Sequence, residues 1–135
     1  MAIKTIPFGK PLDVHLVSDV ESLSFSGGGL AIRVARKFDQ NGEVLGLEVL
    51  FESVSAFRYL DEVDLVRYWS SEEFLRGFHV LEVTEGGWSD EENALQGYET
   101  TRKEWLVVTG NRCISVFSTL DPKLNTISWP AEEAI

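Results

Sequence analysis

A single cysteine, Cys113, stands in a chain of 135 residues. It excludes an internal disulfide, and no Cys/His zinc pattern can be built on it. Histidine is almost as scarce, with only His15 and His79. His79 and Glu82 lie on opposite faces of a strand, so they make no local metal or acid-base pair. No apolar stretch approaches the roughly 20 residues that span a bilayer. Residues 1–10 lack the apolar centre of a secretory leader. Together these absences give the expectation of a reduced, soluble, cytoplasmic protein with no membrane association.

The familiar catalytic motifs are also missing. There is no Gly-x-Ser-x-Gly elbow, no dinucleotide fingerprint and no zinc spacing. Ser26-Gly27-Gly28-Gly29 resembles a phosphate loop only in its glycines. No Lys-Ser/Thr follows, and the next segment reads as a strand, so these glycines serve a hairpin turn. Catalytic residues, cofactor and metal are therefore all expected to be none.

Positive charge is the other shortage. The chain has 12 Lys and Arg against 22 Asp and Glu, a net charge of −10. The deficit is uneven: residues 1–60 carry 6 basic and 7 acidic side chains, residues 61–135 carry 6 and 15. Such an acidic half repels phosphate backbones and anionic membrane surfaces, and attracts a basic protein. The same charge also serves plain solubility.

What is present reads as one globular domain over residues 1–135. The 44% hydrophobic fraction is spread along the whole chain and suffices for a core. Period-2 alternation dominates. Ile3, Ile6 and Phe8 suit an edge strand broken by Pro7, Gly9 and Pro11. Residues 14–17 read as a short strand, 18–19 as a turn and 20–25 as a weak strand. Residues 30–38 alternate cleanly, with Leu30, Ile32, Val34 and Phe38 on one face.

Asn41-Gly42 is a strong type I′ hairpin signal. A two-residue turn there opposes Phe38 to Leu45, Val34 to Val49 and Ile32 to Phe51. The partner strand runs on to Tyr59, which is long for one strand, so a bulge or bend is expected near Ser53-Val54-Ser55. A second hairpin turns at Gly110-Asn111, opposing Trp105 to Val116, Val107 to Ile114 and Val108 to Cys113. Both of its faces are mostly apolar, as in a strand pair buried on two sides. Asp121-Pro122 turns the chain into a last edge strand over 124–129. The sum is an α+β protein: a mainly antiparallel curved sheet, as a β-sandwich or half-barrel of six to eight strands, with two or three short helices.

The helices are marked by caps. Asp61 reads as a cap, with Glu62 and Asp64 in the first turn where acids suit the helix dipole. Ser70-Ser71-Glu72-Glu73 repeats a capping pattern that Gly77 ends. Ser89 and Glu92 form a third box, opening a helix that closes at Gly97. Cys113, facing Val108 in a strand, reads as a buried structural thiol.

One loop has the composition of a site. Glu85-Gly86-Gly87-Trp88-Ser89-Asp90-Glu91-Glu92 sets an indole among four carboxylates beside a glycine pair. An exposed tryptophan in an acidic rim is a natural anchor for an Arg- or Lys-bearing partner. The competing reading packs Trp88 as a hydrophobic staple across the Ser89 cap. The expected binding surface is thus Trp88 with Glu85, Asp90, Glu91 and Glu92, flanked by Asp61, Glu62 and Asp64. The expected role is a non-enzymatic domain that binds, and in an inhibitor- or immunity-like way neutralises, a basic protein. Two alternatives stand beside it: a small-ligand-binding or enzymatic site using a carboxylate and histidine in a sheet cleft, and a structural homodimer.

Overall fold

The computed structural model describes residues 3–61 and 77–131. Within them the chain forms nine strands and one helix: β1 (Lys4–Phe8), β2 (Asp19–Ser26), β3 (Gly29–Phe38), β4 (Glu43–Phe51), β5 (Val54–Asp61), β6 (Val80–Glu85), α1 (Trp88–Gln96), β7 (Glu104–Val108), β8 (Arg112–Ser118) and β9 (Lys123–Pro130). The strands make two sheets, one of order β1-β6-β7-β8-β5 and one of order β2-β3-β4-β9. Every pairing is antiparallel. Among the described residues no barrel closes, the nine strands exceed the six to eight expected, and α1 is the one helix; the two other expected helices, opening at Asp61 and at residues 70–73, fall on residues outside those described. No described helix is long and apolar enough to cross a membrane.

The two sheets share one core. Leu30, Ile32, Val34, Leu47, Val49 and Phe51 from the four-stranded sheet pack against Val80, Trp105, Val107, Ile114 and Val116 from the five-stranded one. A second apolar cluster, including Leu60, Leu81, Leu106, Val108 and Cys113, lies on the opposite face of the five-stranded sheet. All of β7 is buried, and almost all of β8. The two-sided burial read from the sequence of this hairpin therefore holds. So does its register: Trp105 faces Val116, Val107 faces Ile114 and Val108 faces Cys113.

The first hairpin keeps its buried face but shifts its register. Phe38 faces Val44, Val34 faces Leu47 and Ile32 faces Val49. The cause is Asp39, whose carboxylate accepts the backbone N–H groups of Asn41 and Glu43 at 2.8 and 2.9 Å. This side-chain turn competes with a two-residue type I′ turn and lengthens the connection. Gly42 alone takes a positive φ, 78°. An irregularity between Ala35 and Lys37 then absorbs one residue. As a result Phe38 leaves the core face and is 67% exposed. A shift of two residues preserves alternation, which is why Ile32 and Val49 stay inside.

The bend expected near Ser53 is a crossing between sheets. β4 ends at Phe51 in one sheet and β5 begins at Val54 in the other, with a register irregularity between Val54 and Ala56. Residues 14–17 are not a strand. They lead into a turn in which Ser18 N donates to the His15 carbonyl at 3.0 Å, and Leu16 and Val17 are exposed. The turn packs on the β7–β8 hairpin, where Gly110 N donates to Ser18 Oγ at 2.9 Å. A Cβ on Gly110 would strike the His15 and Leu16 carbonyls, so this glycine serves close approach rather than a positive φ.

On the outer face of the four-stranded sheet, Trp129 of β9 lies across Gly46 of β4, with the Arg33 guanidinium 4.8 Å from its ring centre. An added Cβ at Gly46 would stand 2.5 Å from both the Trp129 ring and the Val34 carbonyl oxygen. Neither can retreat without disturbing a strand. Gly46→Ala is expected to cost about 2–3 kcal/mol, measured as a fall in urea midpoint at unchanged slope.

Candidate functional site

The loop singled out by composition folds as a helix docking site. Glu85 ends β6, Gly86 turns with φ 76°, and α1 begins at Trp88. Gly87 is the N-cap residue and offers no side chain, so Ser89 does not cap as its pattern suggested. The cap comes from β7 instead. Glu104 Oε2 accepts the Trp88 N–H at 2.9 Å and Oε1 accepts the Ser89 N–H at 2.8 Å. These are two of the donors that every helix start leaves unpaired, and a carboxylate there also meets the positive end of the helix dipole. Gly87 is required because a Cβ would meet Glu104 Oε2 and Val83. Glu104 is buried, and desolvation raises its carboxyl above the usual range while the Ser89 and Trp88 N–H groups and Arg58 pull it back.

Trp88 is neither a free anchor nor a staple. Its indole stacks on Phe117 of β8, centroids 4.1 Å apart and planes 20° apart. The Arg58 guanidinium from β5 lies 4.9 Å from its centre, and Nε1 donates to Glu92 at 3.1 Å. Arg58 also pairs with Glu91 at 3.1 Å. Glu104 and Phe117 face each other across the β7–β8 pair, so one carries the backbone of α1 and the other its first side chain.

The remaining expected residues have separate employments. Asp90 accepts the Gly86 N–H at 2.7 Å, and Glu85 approaches Lys4 of β1 at 3.5 Å. The Glu85 pair is more than half exposed on both sides and contributes little to stability. Asp61 is the last residue of β5, opposite Arg112, at the other end of β8 from Phe117, and the helix expected to follow it lies outside the described residues. Glu62 and Asp64 lie outside the described residues. The structure thus gathers Trp88, Glu91 and Glu92 into one cluster and sets Asp61 apart from it.

The helix buries none of its residues. Leu95, two turns along from Trp88 on the same stripe, is 82% exposed, and Tyr98, just past the helix, is 63% exposed. A groove on the other side of the helix is lined by Asp90, Asn93 and Ala94 with Glu85, Tyr98 and Glu99. Sequence reasoning passed over Leu95 and Tyr98, since a helical leucine ordinarily marks a buried face.

The two histidines separate as well. His15 sits in the turn before β2, and His79 is buried just before β6. The His79 ring lies with Nδ1 2.6 Å from the Val108 carbonyl oxygen. A carbonyl only accepts, so Nδ1 carries the proton and Nε2 is left as an acceptor. Nε2 is buried and has no partner among the described residues. Burial lowers the pKa from 6.5 to about 4, the Val108 carbonyl opposes this, and Arg36 and His15 add to the lowering. Among the described residues no three His, Cys, Asp or Glu side chains gather as metal ligands. No family model, curated protein or solved structure matches the chain.

Two outcomes follow from these placements. Glu104→Gln leaves only one oxygen for two helix N–H donors and is expected to cost about 1–3 kcal/mol in urea unfolding. His79 is neutral in the folded chain down to about pH 4, whereas unfolded it takes a proton near 6.5. The unfolded state therefore binds more protons between those values, and stability present above pH 6.5 is lost as pH falls toward 4. Relative to His79→Gln, the wild type should lose about 3 kcal/mol between pH 7 and pH 4, followed by urea melts across that range.

Proposed function

We propose that this chain is a small acidic protein-interaction domain, non-enzymatic, that binds a basic protein through the outer face of α1. The supporting observation is the exposed Tyr98, just past the end of α1, in a groove whose charged lining among the described residues is Glu85, Asp90 and Glu99, with no basic side chain. Apolar and aromatic groups ringed by charge of one sign provide burial for affinity and a field for steering. The excess of 15 acids over 6 bases in residues 61–135 extends that field and disfavours nucleic acid.

In this reading Trp88 is the post that fixes α1 and the partner meets the helix beyond it. Asp90 has a second duty at the surface, since it is exposed while holding Gly86. Inhibition of a basic partner, as immunity-like proteins perform it, is the role that charge and size suit. A second copy of this chain suits the same face poorly, because two such grooves would oppose acid to acid.

The test uses an Arg- and Leu-rich amphipathic probe peptide, followed by fluorescence anisotropy. Tyr98→Ala is expected to weaken binding about tenfold, and raised salt to weaken it further. Phe38→Ala, at an exposed site on the other sheet, should change nothing. Affinity unmoved by Tyr98→Ala or by salt would remove α1 as the binding face. A concentration-dependent doubling of mass that Tyr98→Ala abolishes would assign the face to self-association.

A further inference from the structure

A second cavity, apolar where the groove beside α1 is acidic, opens between the sheets, where β1 edges one and β9 edges the other. Its volume is about 420 Å³, within the range of small-molecule sites. Phe8, Leu12, Leu47, Val80 and Leu124 supply a wall drawn from both sheets. Phe8 is fixed by the core, meeting the Trp105 ring edge to face with centroids 5.2 Å apart. His79 also lines the cavity but is neutral above about pH 4, so Lys10 is the one charged side chain in the lining at neutral pH.

Two anchors hold the backbone of Lys10 at the opening. Gly9 turns with φ 85° so near Leu124 that an added Cβ would stand 2.5 Å from its Cδ1. Leu12 N donates to the Gly77 carbonyl at 2.9 Å. Lys10 itself is exposed. Lys4, Lys103 and Lys123 are each paired with a carboxylate, and Lys10 has no such partner among the described residues. Asp121, beside Pro122 of the lining, is held by Lys103 at 2.8 Å.

We propose that this cavity binds a small apolar monocarboxylate, its hydrocarbon body among Phe8, Leu47 and Leu124 and its carboxylate at the Lys10 ammonium. An apolar wall with one cation at its rim matches a molecule that is apolar at one end and anionic at the other. A lysine lays its stem along apolar surface and keeps its ammonium in water, so the pair forms at the opening and neither ion is buried. One ammonium suits a single negative charge rather than a phosphate dianion, which takes several donors. A cationic ligand would meet Lys10 as a like charge. The net charge of −10 opposes anions at long range, but salt screens that field beyond about 8–10 Å, and Lys10 acts within that distance. The cavity lies on the inner side of the five-stranded sheet and α1 on its outer side, so occupancy of one does not presuppose a partner on the other.

The test is calorimetric titration of the full chain at neutral pH with p-propylbenzoate, the isosteric p-propylbenzamide and the cationic p-propylbenzylamine. Wild type should bind the benzoate about fivefold more tightly than the benzamide, and the amine most weakly. Lys10→Met keeps an apolar stem without the charge and should bring benzoate and benzamide within about twofold. Leu124→Trp, which fills the cavity from β9, should abolish binding of the benzoate. In the unaltered protein the methyl resonances of Leu47, Val80 and Leu124 should move on adding benzoate, while those of Leu95 on α1 stay in place. Equal affinities for benzoate and benzamide in the wild type would overturn the proposal, as would a preference for benzoate that survives Lys10→Met. Absence of binding, binding retained in Leu124→Trp, or methyl shifts that spare Leu47, Val80 and Leu124 would overturn it equally.

Discussion

The pairing of β7 with β8 is the constraint on which the rest of the molecule depends. Both strands are buried on both sides, so both faces of their sheet must be covered. One face is covered by the four-stranded sheet through Trp105, Val107, Ile114 and Val116. The other carries Leu106, Val108 and Cys113 in the second cluster. The crossing at residues 52–53 follows from this need. A chain that stayed in one sheet would leave the inner face of the β7–β8 pair uncovered.

The same pair positions the acidic surface. Because Glu104 and Phe117 are opposite each other on the outer face, one hairpin supplies both a carboxylate for the helix N–H groups and a ring for Trp88. Burying a carboxylate is expensive unless its oxygens are occupied, and here both are. Arg58 adds a third hold from β5, lying near the indole while pairing with Glu91. With Trp88, Glu91 and Glu92 spent on docking, the groups left to solvent include Glu85, Asp90, Leu95, Tyr98 and Glu99. A composition that looked like a binding site is in large part the fastening of α1.

His79 shows the opposite case, a residue with little local signal and an unusual environment. Its neighbours in the sequence, Phe78 and Val80, say only that it borders a strand. Its chemistry comes from Val108 on β7, which settles the tautomer, and from the packing that buries Nε2. Val108 is not near it in the chain.

The sequence by itself determined the strands, the buried face of each hairpin, the register of the second hairpin and the site of the bend at 52–55. Alternation of apolar residues and the Gly110-Asn111 turn are local, so local reading suffices. It failed at the first hairpin because the Asp39 side chain, also local, offers the backbone a competing turn that the Asn-Gly pair conceals. It failed at Val14 to Val17 because four apolar-rich residues do not say whether a neighbour exists to pair with them. Tertiary structure alone decided that Glu104 caps α1, that Trp88 is spent on Phe117 and Arg58, that Asp61 stands apart, and that His79 keeps an unpaired nitrogen. Each of those depends on groups brought together from distant strands. Such meetings are fixed by sheet order, and sheet order leaves no periodic mark on the chain.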